Sequence, residues 1–136
     1  MRLTKDLRKY ATILGLDVLG LCPSESLNNT PQDRKPHTYL KNARSIISIG
    51  YKLNLSAVNN LPGTRSAYML EHDYANRHLD KSSYKIARFL EEKGHSAVGF
   101  DSGAGFYHVI GNMPEILVGD ISHKHAAVAC GLGSSA

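Results

Sequence analysis

Cysteine is scarce in this sequence, which has only Cys22 and Cys130 among its 136 residues. They form no CxxC pair, so the sequence contains neither a readable disulfide framework nor a cysteine-rich metal site. We therefore expect a reducing compartment, the cytoplasm. No apolar stretch approaches the roughly 18 to 20 residues of a membrane span. The charged first turn of the chain leads into no apolar segment, so we expect neither membrane insertion nor a secretory signal.

The composition is that of a globular protein, with 42% hydrophobic and 21% charged residues. A net charge of +4 and a pI near 9.1 permit an anionic partner without requiring one. Charged residues are scattered along the chain, and the only dense basic cluster is 123–125. Composition therefore predicts one folded domain over 1–136 and leaves its partner open.

Helical and strand patterns alternate along the chain. The predicted elements are a helix over 3–14 ended by Gly15, strands over 16–22 and 44–51, a helix over 66–93 ended by Gly94, a strand over 95–100, and a helix over 122–130. This alternation predicts an α/β fold in which helices pack on a small mixed sheet. No internal repeat or domain boundary is visible, so the long loops belong to one core.

Three polar residues share part of one face of the helix predicted over 66–93, namely His72, Asp73 and Asn76. They suit a metal ion or a polar network, but no HExxH or comparable ligand spacing accompanies them. A histidine on a long surface helix is usually solvated. We therefore predict a solvated polar group here and no metal site.

The segment 119–133 carries the most informative pattern. Its predicted helix begins near Ser122 and has Lys124 with two imidazoles, His123 and His125, in the first turn. The N-terminus of a helix is the positive end of its dipole and disfavours cations. These residues therefore indicate a bound anion, held by free backbone N–H groups and by the side chains. The alternative is that the three side chains are exposed to solvent at modest cost.

The run His-Ala-Ala-Val-Ala-Cys-Gly-Leu-Gly over 125–133 resembles the Ala-Gly-Leu-Gly helix and turn of the epoxyqueuosine reductases and of the related corrinoid reductive dehalogenases. Three further segments match in order. The segment 15–20 is similar to the first strand of that family, 42–49 to its Ala-Lys/Arg-Ser-Val/Ile-Ile strand, and 87–94 to the end of one of its helices. The resemblance touches nearly the whole chain, although each motif is short.

This resemblance implies a nitroreductase-like α/β core that binds cobalamin, followed by a ferredoxin-like portion with two [4Fe–4S] clusters. In that chemistry the clusters pass electrons to the corrinoid, and the reduced cobalt acts on the substrate. In the queuosine branch the substrate is an epoxide on a tRNA nucleoside. The chain is thus expected to bind a corrinoid or a small molecule, with tRNA as a further partner.

The resemblance also implies site residues. Asp120 is the nearest candidate for the acidic proton donor that the queuosine enzymes place upstream of this helix. Gly131-Leu132-Gly133 matches the turn that abuts the cofactor. The resemblance thus implies cofactor contacts at Tyr51, Lys124, Gly131 and Gly133. The expected anion site at the helix start adds Ser122, His123 and His125 to the cofactor-binding positions.

The sequence departs from the family after 131–133, where it reads Ser134-Ser135-Ala136 in place of an Ile-Gly-Lys-like segment. Two cysteines cannot ligate even one four-cysteine cluster. We therefore expect the front, nitroreductase-like part of a reductase, inactive alone, and expect its uncovered apolar surface to favour a homodimer. Two alternatives stay open: a non-catalytic module for a small anion, a nucleotide or a partner protein, and a tRNA-binding fragment.

Overall fold

The computed structural model describes residues 2–27, 39–59, 63, 65–102 and 130–131. These residues form a mixed α/β arrangement of three α-helices, a short 3₁₀ helix and a two-stranded antiparallel sheet. The elements, in chain order, are α1 (Arg2–Ile13), β1 (Val18–Pro23), the 3₁₀ helix (Ser24–Leu27), β2 (Ser45–Gly50), α2 (Leu55–Asn59) and α3 (Arg65–Glu92). The predicted α/β class is confirmed at this level.

Helix α1 ends as its sequence predicts. Leu7 and Ala11, on its apolar face, are buried. Gly15 has a φ of 80°, in the left-handed region that glycine adopts at little cost. The N–H of Leu16 donates to the carbonyl of Ala11 over 3.1 Å, and the N–H of Gly15 to that of Thr12 over 3.0 Å. This pair of bonds is a Schellman cap, which satisfies the last carbonyls of the helix and turns the chain towards β1.

Strands β1 and β2 pair antiparallel, in a register that runs from Val18 opposite Gly50 to Pro23 opposite Ser45. The buried side of the sheet carries Cys22 and Ile46, which lie directly opposite each other. Pro23 is the last residue of β1, where a missing N–H removes no internal ladder bond. The two strands of the described residues are therefore antiparallel, and the mixed sheet that the sequence predicts stays a prediction.

The segment 95–100 is not a strand, which corrects the sequence prediction. It leaves α3 at Gly94, whose φ is 90°, and lies against that helix. A Cβ added at Gly99 would approach Oγ of Ser83 to 2.8 Å, so the backbone passes directly over α3. Only Val98 and Phe100 of this segment favour a strand, and the segment packs on α3 instead of pairing with β1 or β2.

Helix α3 is the longest element, with 28 residues, and contacts α1, α2 and β2. Its buried residues are Ala75, Ser82 and Ile86. The predicted helix over 66–93 is confirmed within one residue at each end, and Gly94 ends it with the same pair of cap bonds found at Gly15. In the described part of the chain, no helix is both long and apolar enough to cross a membrane.

Candidate functional site

Three rings meet where the end of β2 reaches the middle of α3. We call Tyr51, Tyr74 and His78 the aromatic cluster. The Tyr51 ring lies 4.6 Å from the His78 ring and 6.1 Å from the Tyr74 ring, measured between centroids. The rings of Tyr74 and His78 are 6.2 Å apart and within 8° of parallel. Tyr51 is one of the residues that the sequence assigned to cofactor binding, and the structure gives it two aromatic partners.

Local structure explains how Tyr74 and His78 come to face Tyr51. They are four residues apart on α3, so their side chains project from the same face of the helix. Leu70 lies one turn earlier in the same row and is 64% exposed. The row therefore continues beyond the cluster as an apolar surface.

Two sets of hydrogen bonds hold the chain that follows Tyr51. Just after it, the N–H of Lys52 donates to Oδ2 of Asp17 over 2.6 Å. Three residues on, the N–H of Asn54 donates to Oε1 of Glu71 over 2.5 Å, and its side-chain amide donates to Oε2 over 3.2 Å. The first contact ties the end of β2 to the start of β1, and the second ties the following turn to α3. The Tyr51 ring is thereby fixed over α3.

The cluster contains a polar atom without a partner. Nε2 of His78 is buried and makes no hydrogen bond in the structure. A Cβ added at Gly15 would lie 3.8 Å from this nitrogen, so the cap of α1 passes close beside the imidazole. Leaving a buried polar atom unpaired costs about 1 to 3 kcal/mol, and such atoms often mark a site that a ligand completes.

The cluster is open on one side. Tyr74 is 53% exposed, whereas Tyr51 and His78 are half-buried. A large side chain that remains exposed beside two packed rings offers an apolar face to a ligand. The arrangement therefore combines an exposed aromatic surface, an exposed leucine and one buried imidazole nitrogen without a partner.

The polar group at His72 is separate from the cluster. Nδ1 of His72 lies 3.3 Å from Oδ1 of Asp73, and the Asn76 amide lies 3.3 Å from Nε2 of the same ring. His72 and Asp73 are exposed, and Asn76 is half-buried. Among the residues that the structure describes, no three histidine, cysteine or carboxylate side chains are grouped to hold a metal ion.

The sequence-predicted positions lie in three places. Tyr51 belongs to the aromatic cluster. Gly131 follows Cys130, whose Sγ lies 3.6 Å from the carbonyl oxygen of Ile46, so it lies towards the beginning of β2 instead of its end. The remaining positions fall outside the described residues: Asp120, Ser122, His123, Lys124, His125 and Gly133.

Sequence reasoning missed Tyr74 and His78. The available signal was the regular step of four residues from Leu70 to Tyr74 and from Tyr74 to His78, which places these three side chains in one row along the helix. Which row of side chains faces Tyr51 depends on how α3 packs against β2, and the sequence of the helix alone does not show this.

No protein-family model, curated protein or solved structure matches the chain.

Proposed function

We propose that this chain is the corrinoid-binding α/β portion of a reductase resembling the epoxyqueuosine reductases, with a nitroreductase-like core. The observation that carries the proposal is the packing of Tyr51 on Tyr74 and His78, with Nε2 of His78 left unpaired. Tyr51 stands directly after β2, where the sequence motif of that family led us to expect a cofactor contact.

The residues present suit such a cofactor. A corrinoid is a broad, largely apolar disc edged with amide groups. The exposed face of Tyr74 and the neighbouring Leu70 offer apolar area to such a disc. Nε2 of His78 is buried behind them, and it would accept or donate a hydrogen bond to an amide only after the imidazole turns outward. When bound, the corrinoid supplies a reducible cobalt centre. Tyr51 and Tyr74 would bind and orient it and keep water from that side.

An iron–sulfur cluster does not suit the described residues in the same way. The only two cysteines of the chain face each other inside the core, with their Sγ atoms 3.1 Å apart. A [4Fe–4S] cluster takes four thiolates around a body much wider than this gap. Cys22 and Cys130 therefore carry no electron transfer through such a cluster, and the role of this chain is to bind the corrinoid.

A second candidate is a nucleotide-binding or tRNA-binding module. The exposed Tyr74 ring favours it, because an aromatic face stacks on a nucleobase as readily as on a corrinoid. The net charge of +4 is compatible with phosphate groups. The two candidates use the same surface and differ in the ligand that binds it.

The test is a titration of the protein with cobalamin, ATP and unmodified tRNA, followed by visible absorption and calorimetry. Under the proposal cobalamin binds, and Tyr51→Ala, Tyr74→Ala and His78→Ala each weaken its affinity about tenfold, or about 1.4 kcal/mol. Tyr84→Ala is the matched control, because Tyr84 is 62% exposed on the same helix and lies outside the cluster.

Two results would contradict the proposal. If ATP or tRNA binds with the same dependence on the three variants and cobalamin does not, the nucleotide module is the better assignment. If cobalamin binds and no cluster variant weakens it more than Tyr84→Ala does, the corrinoid site lies elsewhere in the chain.

A further inference from the structure

The two cysteines of the chain meet in space although they are 108 positions apart. Cys22 lies in β1, and Cys130 donates its S–H to Sγ of Cys22 over 3.1 Å. Both belong to one apolar group with Ile46 and Phe100. Nothing in their sequence spacing indicates this meeting, and the chain has no third cysteine.

The two thiols differ in access. Cys22 is only 9% exposed, inside the sheet, whereas Cys130 is half-buried. Gly131 follows with a φ of 78°, so the chain turns away directly after Cys130. An external reagent therefore reaches Cys130 first, and Cys22 lies immediately behind it.

The separation of the sulfurs favours a covalent bond between them over a shared metal ion. Two thiolates on a tetrahedral Zn²⁺ are about 3.8 Å apart, because each Zn–S bond is about 2.3 Å. A disulfide requires about 2.05 Å. Sulfurs 3.1 Å apart have no room for the metal between them, and closing about 1 Å makes the bond.

We propose that Cys22 and Cys130 form a redox modification site, at which a small-molecule disulfide oxidises the two thiols to an intramolecular disulfide. Its product links β1 to the turn at Gly131, where the sequence resemblance puts the cofactor turn. The inference depends on the cysteines alone and stands whether or not the chain binds a corrinoid.

The reaction proceeds in two exchanges. The Cys130 thiol loses its proton to water, and its sulfur attacks one sulfur of the reagent RSSR, releasing RS⁻, which takes up a proton. The Cys22 sulfur then attacks Sγ of Cys130 in this mixed disulfide, gives up its own proton, and displaces the second RSH. The two protein thiols are oxidised by two electrons in all, and one RSSR becomes two RSH.

The surroundings of Cys130 determine its rate. Burial, followed by the hydrogen bond with Cys22, raises the pKa of Cys130 to about 12. The thiolate is the attacking species, so the first exchange is slow at neutral pH. Its rate should rise about tenfold for each unit by which the pH increases, up to the pKa of Cys130.

The experiment uses the full chain in glutathione buffers of varied oxidised-to-reduced ratio, quenched with acid and examined by mass spectrometry and non-reducing electrophoresis. The wild-type protein is expected to lose two hydrogens without adduct or dimer, and its rate is expected to rise with pH. Its equilibrium preference for the disulfide should exceed that of the urea-unfolded chain about tenfold or more, because folding holds the sulfurs together.

The single variants separate the two exchanges. Cys22→Ser should stop at one glutathione adduct on Cys130, and Cys130→Ser should react more slowly than Cys22→Ser, because its remaining thiol is the buried one. A wild-type product that is a glutathione adduct or a covalent dimer would overturn the proposal. So would an equilibrium preference in the folded chain no greater than in urea, a readout that needs no variant to fold.

Discussion

The ring of Tyr10 on α1 stacks on the ring of Phe89 on α3, with centroids 4.6 Å apart and planes 10° from parallel. Two charges support this contact. Nζ of Lys93 lies 5.2 Å from the centre of the Phe89 ring and 3.8 Å from Oδ2 of Asp6 on α1. Ring stacking contributes about 0.5 to 1.5 kcal/mol beyond buried area, whereas an exposed ion pair contributes less. The ring stack therefore contributes more than the ion pair does to the contact between α1 and the C-terminal half of α3.

Phe89→Ala should lower the free energy of unfolding by about 2 kcal/mol, because it removes the stack and leaves Tyr10 without its partner. Phe89→Leu, which keeps apolar volume, should lower it by about 1 kcal/mol. Urea denaturation followed by circular dichroism measures both. Equal losses in the two variants would mean that the ring contributes only its volume.

Gly15→Ala and Gly94→Ala form a matched pair. Both glycines have a left-handed φ, of 80° and 90°, so each alanine should lower the unfolding free energy by about 1 to 2 kcal/mol. A Cβ at Gly94 meets no atom within 4 Å, whereas one at Gly15 lies 3.8 Å from Nε2 of His78.

The two variants should therefore differ in ligand affinity although they lose similar amounts of unfolding free energy. Under the proposed function, Gly15→Ala strains the α1 cap that lies beside His78 and should weaken cobalamin binding about tenfold, or about 1.4 kcal/mol. Gly94→Ala should leave it unchanged. A titration in which both variants bind as the wild type does would show that the α1 cap does not position His78 for the ligand.

Asp17→Ala should free the chain that follows β2. It removes the acceptor of the 2.6 Å bond from the N–H of Lys52, the residue after Tyr51. This bond is exposed, so we expect a loss of about 1 kcal/mol in unfolding free energy. The Tyr51 ring is then held less firmly. Under the proposed function, ligand affinity should therefore fall by more than the loss of folded protein accounts for. Asp73→Ala, another exposed carboxylate, is the control and should change neither.

The stability of the reduced protein should depend on the Cys130 thiol at high pH. Its pKa is about 12 in the folded chain against an ordinary value of 9.0, mainly because it is buried. A raised pKa means that the folded state keeps its proton longer than the unfolded state does. This contribution is complete below about pH 9 and is lost as pH rises towards about 12.

The measurement is the difference between wild type and Cys130→Ser, because tyrosines and lysines titrate in both. In urea denaturation with reductant present, the wild type should lose stability faster than the variant from pH 9 upwards. Parallel curves for the two proteins would indicate that the Cys130 thiol is as solvated in the folded chain as in the unfolded one.

Local signals predicted more of this fold than of its site. The ends of α1 and α3 follow from glycines at helix ends, which act within one turn, and both caps are where the sequence put them. The positions of β1 and β2 were also predicted. The segment 95–100 was wrongly predicted as a strand. A short apolar run does not reveal what it packs against, and here its backbone lies against Ser83 of α3.

The site depends on contacts between distant segments. Tyr51 was indicated by its position after a strand motif, but its partners Tyr74 and His78 follow from the rotation of α3 against β2, which no local pattern encodes. The pairing of Cys22 with Cys130 spans 108 positions and has no local signal at all. The sequence therefore did not predict those parts of the site that depend on contacts between distant segments.

The length of α3 keeps its two attachments apart. His78 and Phe89 are eleven residues apart on this helix, or about 16 Å along its axis. Both attachments nevertheless involve α1, because the Tyr10 ring stacks on Phe89 and the cap at Gly15 lies beside His78. Mutations that share a partner are not additive, so loosening the helix pair at Phe89 should also shift the cap and reduce ligand affinity at the aromatic cluster under the proposed function.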